Sequence, residues 1–162
     1  MASMIEVNDS NAQQMLNGLL SRMQSDQPAM QTIADTLAER TRATWSDQQD
    51  PYGSPWAELS ARTIARRRKG DGSGKVQILR DTGQLSQTVE ARGEIGAAIV
   101  TVGGGPANRY ATTHQFGIAE RNIPQRKMLP LDNDGQTKTA VVNLPTEWIE
   151  ELVDIFSDHV IA

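Results

Sequence analysis

The spacing of apolar residues changes twice along this chain, and that change constrains the fold more than any other feature. Near the start, Met15, Leu16, Leu19, Leu20 and Met23 recur at helical spacing behind Asp9 and Ser10, which suit a helix cap. After a break at SDQPAM, Pro28 fits a first helical turn, and Met30, Ile33, Leu37, Thr41 and Trp45 mark the buried stripe of a second helix. In the middle the period falls to two: Leu85, Gln87, Val89 and Ala91 alternate with Ser86, Thr88, Glu90 and Arg92. With a turn at Gly93 to Gly96 and the run AAIVTV beyond it, residues 85–102 are expected to form an antiparallel hairpin. The helical period returns at the end, where Trp148, Ile149, Leu152, Val153, Phe156 and Val160 share a face of a helix opening near Pro145 and Thr146.

The connecting segments fit the same scheme. SDQQDPYGSPW is dense in turn formers, and a short helix is expected from Ser60 to Lys69, stopped by Gly70. GDGSGK reads as a linker, and a short helix from Asn108 to Gln115 is expected to stop near Gly117. IPQRKMLPL reads as extended, its prolines arguing for an edge, and Asp132-Asn133-Asp134-Gly135 as a turn into a strand, TKTAVVNL. The expectation is an α+β fold, a small antiparallel sheet flanked by N-terminal and C-terminal helices, rather than an all-α one. At 162 residues the chain reads as one domain, with a helical part at 1–47, an α+β core at 48–136, and a strand and helix at 137–162.

Composition narrows the chemistry. With no cysteine, disulfides, zinc–thiolate sites and thiol nucleophiles are excluded. Aromatics are only 4% of the chain, so the core must rest on aliphatic side chains and three tryptophans. The N-terminus has no basic leader or apolar segment, and no run suits a membrane span, so a chain outside the secretory route is expected. The net charge of −4 conceals two poles: residues 61–80 hold seven bases and one acid, a local +6 against −10 elsewhere. The acids gather in the last helix, at Glu147, Glu150, Glu151, Asp154 and Asp158. Opposite poles suit head-to-tail contact between copies, and Arg62, Arg66, Arg67, Arg68, Lys69, Glu147, Glu150, Glu151 and Asp154 are the candidate interface.

Catalytic and ligand-binding patterns fail on spacing. GDGSGKV lacks the interval of a phosphate-binding loop, and Val76 stands where a hydroxyl is required. DNDG fails as a calcium loop, because Pro130 and Val141 fall where carboxylate ligands belong. His114 has no second histidine within a turn, and no Gly-x-Ser-x-Gly elbow exists, so a hydrogen-bonded structural imidazole is expected. The run ARTIARRRKG offers Arg62, Arg66 and Lys69 along one helical face, which fits phosphates as well as acidic protein, but no aromatic is interleaved for base stacking. No cofactor, metal or enzymatic activity is expected.

The middle of the chain has a further quality. W-x-x-L-S-x-x-T at Trp56 to Thr63, then ILRDTGQL, TVGG, YATTHQFG and IPQRKML, in this order, resemble the phage virion morphogenesis family of tail-completion proteins. The most specific elements are Thr82-Gly83-x-Leu85 and Tyr110-Ala111-x-x-His114-Gln115-x-Gly117, followed by Pro124 and Arg126. Two features depart from the family pattern: Met128 stands where phenylalanine is frequent, and TKTAVVNL is additional strand material. The resemblance covers residues 45–130 and implies a structural protein of the virion neck or tail end, assembled in the host cytoplasm. It implies a homo-oligomeric, six-fold ring that meets the connector or adaptor and the tail terminator or tube, with DNA passing nearby and no membrane. A tail-terminator ring and a DNA-binding accessory protein using residues 62–80 are the alternatives. On this reading Tyr110 and Phe116 anchor a short helix on the sheet, while His114 and Gln115 supply fixed hydrogen bonds.

Overall fold

The computed structural model describes residues 10–71, 76–133 and 140–161. Its spine is the second of the six α-helices among these residues, α2 (Gln27–Asp47), preceded by α1 (Ser10–Gln24). Pro28 occupies the first turn of α2, and Gln48 ends it in the left-handed conformation, φ 56°. The face it buries carries Ile33, Thr41 and Trp45 and, between them, Ala34 and Ala38, whose small side chains let a sheet approach closely.

That sheet is an antiparallel hairpin, β1 (Glu90–Glu94) and β2 (Ala97–Thr101), with Glu90 opposite Thr101 and Glu94 opposite Ala97. The expected start at residue 85 is corrected. Residues 84–87 form one helical turn, α4 (Gln84–Gln87), following Gly83 at φ 78°. Its local bonds are Ser86 Oγ to the Gly83 carbonyl at 2.9 Å and Thr88 Oγ1 to the Leu85 carbonyl at 2.7 Å. Such side-chain bonds to nearby backbone compete with strand pairing. The reversal is also shorter than expected, at Ile95 and Gly96, and Gly93 lies within β1. A Cβ on Gly93 would fall 2.3 Å from the Gln31 backbone nitrogen, so glycine marks a contact with α2 rather than a turn.

Three side chains of the first two helices' junction and of α2 hold the hairpin at successive points. Both carboxylate oxygens of buried Asp26 accept the Gly96 N–H, at 3.1 and 3.0 Å. Gln31 Oε1 accepts the Gly93 N–H at 2.8 Å, and Arg42 Nη2 donates to the Val89 carbonyl at 2.8 Å. The core continues through Trp45, Trp56, Leu79, Leu85, Val89, Ala111 and Met128. Trp45 and Trp56 meet edge to face, centroids 6.0 Å apart, and Trp56 Nε1 donates to the Lys127 carbonyl at 2.8 Å.

The remaining elements are α3 (Ala61–Asp71), α5 (Asn108–Phe116), β3 (Leu131–Asn133), β4 (Ala140–Val142) and α6 (Thr146–Ile161). The fold is α+β as expected, with two separate two-stranded sheets among the described residues in place of one. α3 runs through Gly70 to Asp71. Of the expected DNDG turn, Asp132 and Asn133 lie in β3, while Asp134 and Gly135 lie outside the described residues, as do Asp9 and most of the GDGSGK linker. Within the expected edge segment 123–131, Pro124 and Gln125 are exposed, but Met128 and Arg126 are buried, at 1% and 5% exposed.

The described apolar side chains of α1 are largely exposed. Met15, Leu16 and Leu20 are 71%, 58% and 54% exposed. α1 leans on α6, where Arg22 Nη1 donates to the Val160 carbonyl at 3.0 Å. The stripe of α6 divides: Trp148 is buried and Leu152, Phe156 and Val160 are half-covered, but Ile149 and Val153 are 45% and 55% exposed.

Candidate functional site

A cleft of about 800 Å³ opens between α3, the 79–85 turn, α5 and residues 122–126. Thr82, Gly83, Leu85, Tyr110, His114, Pro124 and Arg126 all line it, together with Arg66 and Arg67. The motif residues among these, up to 44 positions apart in sequence from Thr82 to Arg126, are thus brought to one place. Arg62, although on α3, does not line the cleft, and no described residue of α6 does.

The frame of the cleft is built by polar groups directed at backbone. Gln115, buried behind it, uses its whole amide. Its Oε1 accepts the N–H groups of Met128 at 2.9 Å and Leu129 at 3.1 Å, and its Nε2 donates to the carbonyls of Leu129 at 2.8 Å and Leu131 at 3.3 Å. Arg126 donates through Nε to the Ala57 carbonyl at 2.8 Å and through Nη2 to the Glu58 carbonyl at 3.0 Å, while its own N–H reaches the His114 carbonyl at 2.7 Å. Burial first, and then neighbouring Arg67, lowers the Arg126 pKa. Gly117 ends α5 at φ 72°, where a Cβ would lie 2.9 Å from the Gln125 nitrogen. Both the angle and the contact demand glycine there. Ser60 starts α3 by accepting the Thr63 N–H at 3.2 Å, with its hydroxyl 2.9 Å from that of Thr63, which accounts for the S-x-x-T spacing.

Two expected roles change. Tyr110 is 63% exposed, so it is no anchor for α5, whose buried contacts with the core are made through Ala111. Phe116 is half-buried. His114 Nδ1 is buried but has no hydrogen-bond partner among the described residues, so the fixed bonds of this pair belong to Gln115. Burial, and then the charges of Arg126 and Arg67, lower the His114 pKa and hold the imidazole neutral near pH 7.

The two charged poles are placed apart. On α3, Arg67 is committed internally: Nη1 donates to the Gln77 carbonyl at 2.6 Å and Nε lies 3.3 Å from Asp81 as an ion pair without hydrogen-bond alignment. Arg62 is exposed, and Arg66 is exposed with only a 4.0 Å approach to Asp81. The side chains of Arg68 and Lys69 lie outside the described ones. On α6, Glu151 pairs with Arg40 at 2.9 Å on the surface, whereas Glu147, Glu150 and Asp154 are exposed and form no such pair among the described residues. Glu151 and Arg67 therefore leave the list of free interface charges.

A second cleft, of about 710 Å³, runs beside the start of α6 and α2's C-terminal end. On its rim Tyr52 Oη donates to the Asn143 carbonyl at 2.7 Å, and Lys127 Nζ stands 5.3 Å from the Tyr52 ring. Hydrogen bonds from Lys127 and Asn143 hold the Asp132 carboxyl below its usual range. This tie was not expected from sequence; the clustering of Tyr52, Lys127 and Asp132 around turn-rich segments was its only signal. Among the described residues no group of three or more His, Cys, Asp or Glu side chains could hold a metal ion. No helix among them is long and apolar enough to cross a membrane.

The described residues thus combine an interlocked motif core with apolar side chains of α1 and α6 left exposed. A model of the phage virion morphogenesis family matches residues 7–144, and the chain belongs to that family. No curated protein and no solved structure matches it.

Proposed function

We propose that the chain is a structural protein of the virion neck or tail end, which completes the tail and joins it to the DNA-filled head as a homo-oligomeric ring. Family membership supports a virion assembly role and interaction with other virion components. The observation that carries the finer reading is the uncovered apolar surface of α1 and α6, which a solitary chain gains nothing by exposing. On this reading the protein is not an enzyme: Gln115 and Arg126 direct their polar atoms at backbone. Its partners are the connector or adaptor on the head side and the terminator or tube on the tail side, with DNA passing by.

The test is electron microscopy of lysates from a phage lacking this gene. DNA-filled heads beside separate tails of normal length are the expected result. Tails of uncontrolled length would make the protein the tail terminator, and normal infectious particles would overturn the assembly role.

A further inference from the structure

We infer that the acidic face of α6 docks on the exposed arginine face of α3 in a second copy, beside the motif cleft, as a head-to-tail contact. This rests on the assembly reading above and names the surfaces that would carry it. The argument starts from spacing. Arg62 and Arg66 stand four residues apart on α3, both exposed, and Glu150 and Asp154 stand four residues apart on α6, both exposed. Four residues of helix rise about 6 Å, so the two pairs can meet charge to charge across two packed helices.

None of these four side chains is engaged at close range by another described residue. Among the described residues Arg62, Glu150 and Asp154 form no ion pair, and Arg66 has only its 4.0 Å approach to Asp81. The remaining charges of the two helices behave differently, since Arg67 and Glu151 are both paired internally. Apolar surface accompanies the charges on each side. On α6 it is Ile149 and Val153, again four apart and exposed; at the cleft mouth it is the exposed ring of Tyr110 with Ile123 and Pro124. Apolar burial then supplies affinity, while the arginine–carboxylate pairs set register and orientation.

Geometry makes the contact intermolecular. α6 lies against α2 and α1, and no described α6 residue lines the cleft. Donor and acceptor are different surfaces of one chain, so each copy can offer one to each neighbour. A heterologous contact of this kind either closes into a ring or runs on as a filament.

The experiment uses the full-length protein in two charge-reversed forms, Arg62→Glu/Arg66→Glu and Glu150→Lys/Asp154→Lys. All four positions are exposed, and circular dichroism checks that each variant is folded. Sedimentation of the wild type should show an oligomer that weakens with added salt. Each variant alone should associate at least about tenfold more weakly, and an equimolar mixture, or one chain carrying all four changes, should recover assembly. A wild type that stays monomeric at assembly concentrations overturns the inference. So does an oligomer that neither variant disturbs, which would leave the ring reading standing on other surfaces. Loss in both variants without recovery on mixing also overturns it. Finally, a wild type that binds duplex DNA, with binding lost only in the α3 variant and assembly unchanged, would assign α3 to DNA instead.

Discussion

The motif core and the terminal helices solve opposite problems with the same residue types. In the core, polar side chains are aimed inward at backbone: Gln115 makes four bonds to residues 128–131, and Arg126 two to residues 57 and 58. On the terminal helices, apolar side chains are aimed outward, with Leu16, Leu20, Ile149 and Val153 open to solvent. A buried amide fully bonded to backbone fixes one geometry, because any shift strands several donors and acceptors at once. An exposed leucine fixes nothing until something covers it. The short motifs therefore define the shape of the chain, and on the assembly reading proposed above the terminal helices offer the surface left open to neighbours.

Breaking the first half of that comparison should produce the largest effects. Gln115→Ala removes four hydrogen bonds and leaves the Met128 and Leu129 N–H groups without their acceptor in or near the core. A loss of about 4 kcal/mol in urea unfolding is expected, close to the whole stability of a modest domain. Stability within about 1 kcal/mol of wild type would show that water replaces the amide and that the motif does not fix the cleft. Gly93→Ala comes next. Its Cβ would meet backbone of Gln31 and Met30 at 2.3–2.8 Å, so the hairpin must lift from α2. The expected cost is about 3 kcal/mol, with protection of the hairpin amides against hydrogen exchange falling more than that of α5.

How far these sites were legible in sequence differs between the two regions. Period alone locates α1, α2 and α6, because an amphipathic stripe requires only spacing. It misreads residues 85–89, since Leu85 and Val89, four apart and both buried, satisfy one helical turn as well as a strand face. Gly83, Ser86 and Thr88 decide the matter through local bonds that hydrophobic patterning does not register. Residues 123–131 show the same limit. Pro124 and Pro130 suggest an edge, but Met128, Leu129 and Leu131 are bonded to the Gln115 amide, reached only through the fold. Nor does a stripe on α1 reveal whether it is covered by its own chain or another; the sequence is the same in both cases.

A smaller effect distinguishes the cleft from the rest of the surface by its response to acid. The His114 pKa is lowered in the folded protein from an ordinary value of 6.5, through burial and then Arg126 and Arg67. Well above pH 6.5 the imidazole is neutral in both states and contributes no pH dependence. As pH falls through 6.5 the unfolded chain takes up a proton that the folded one refuses. Stability is then lost by up to about 1.4 kcal/mol per pH unit until the folded pKa is reached. Urea unfolding at pH 7.5 and 5.5 should accordingly show a larger drop for wild type than for His114→Gln. Equal drops would mean that the imidazole accepts a proton in place.

The smallest effect on the isolated chain tests the terminal helices, and there the near absence of a change is the informative result. Leu16→Gln/Leu20→Gln replaces side chains that are 58% and 54% exposed, so the stability of the monomer should move by no more than about 0.5 kcal/mol. Complementation of a phage lacking the gene should nevertheless fail, because the substitution removes the apolar surface by which α1 would join a neighbour. A clear loss of monomer stability would mean that α1 folds its stripe against its own chain in solution, and the contrast between core and termini would shrink to α6. Full complementation with unchanged stability would leave α1 without a part in assembly. The exposed pair Ile149 and Val153, flanked by Glu150 and Asp154, would then be the apolar face on which assembly depends.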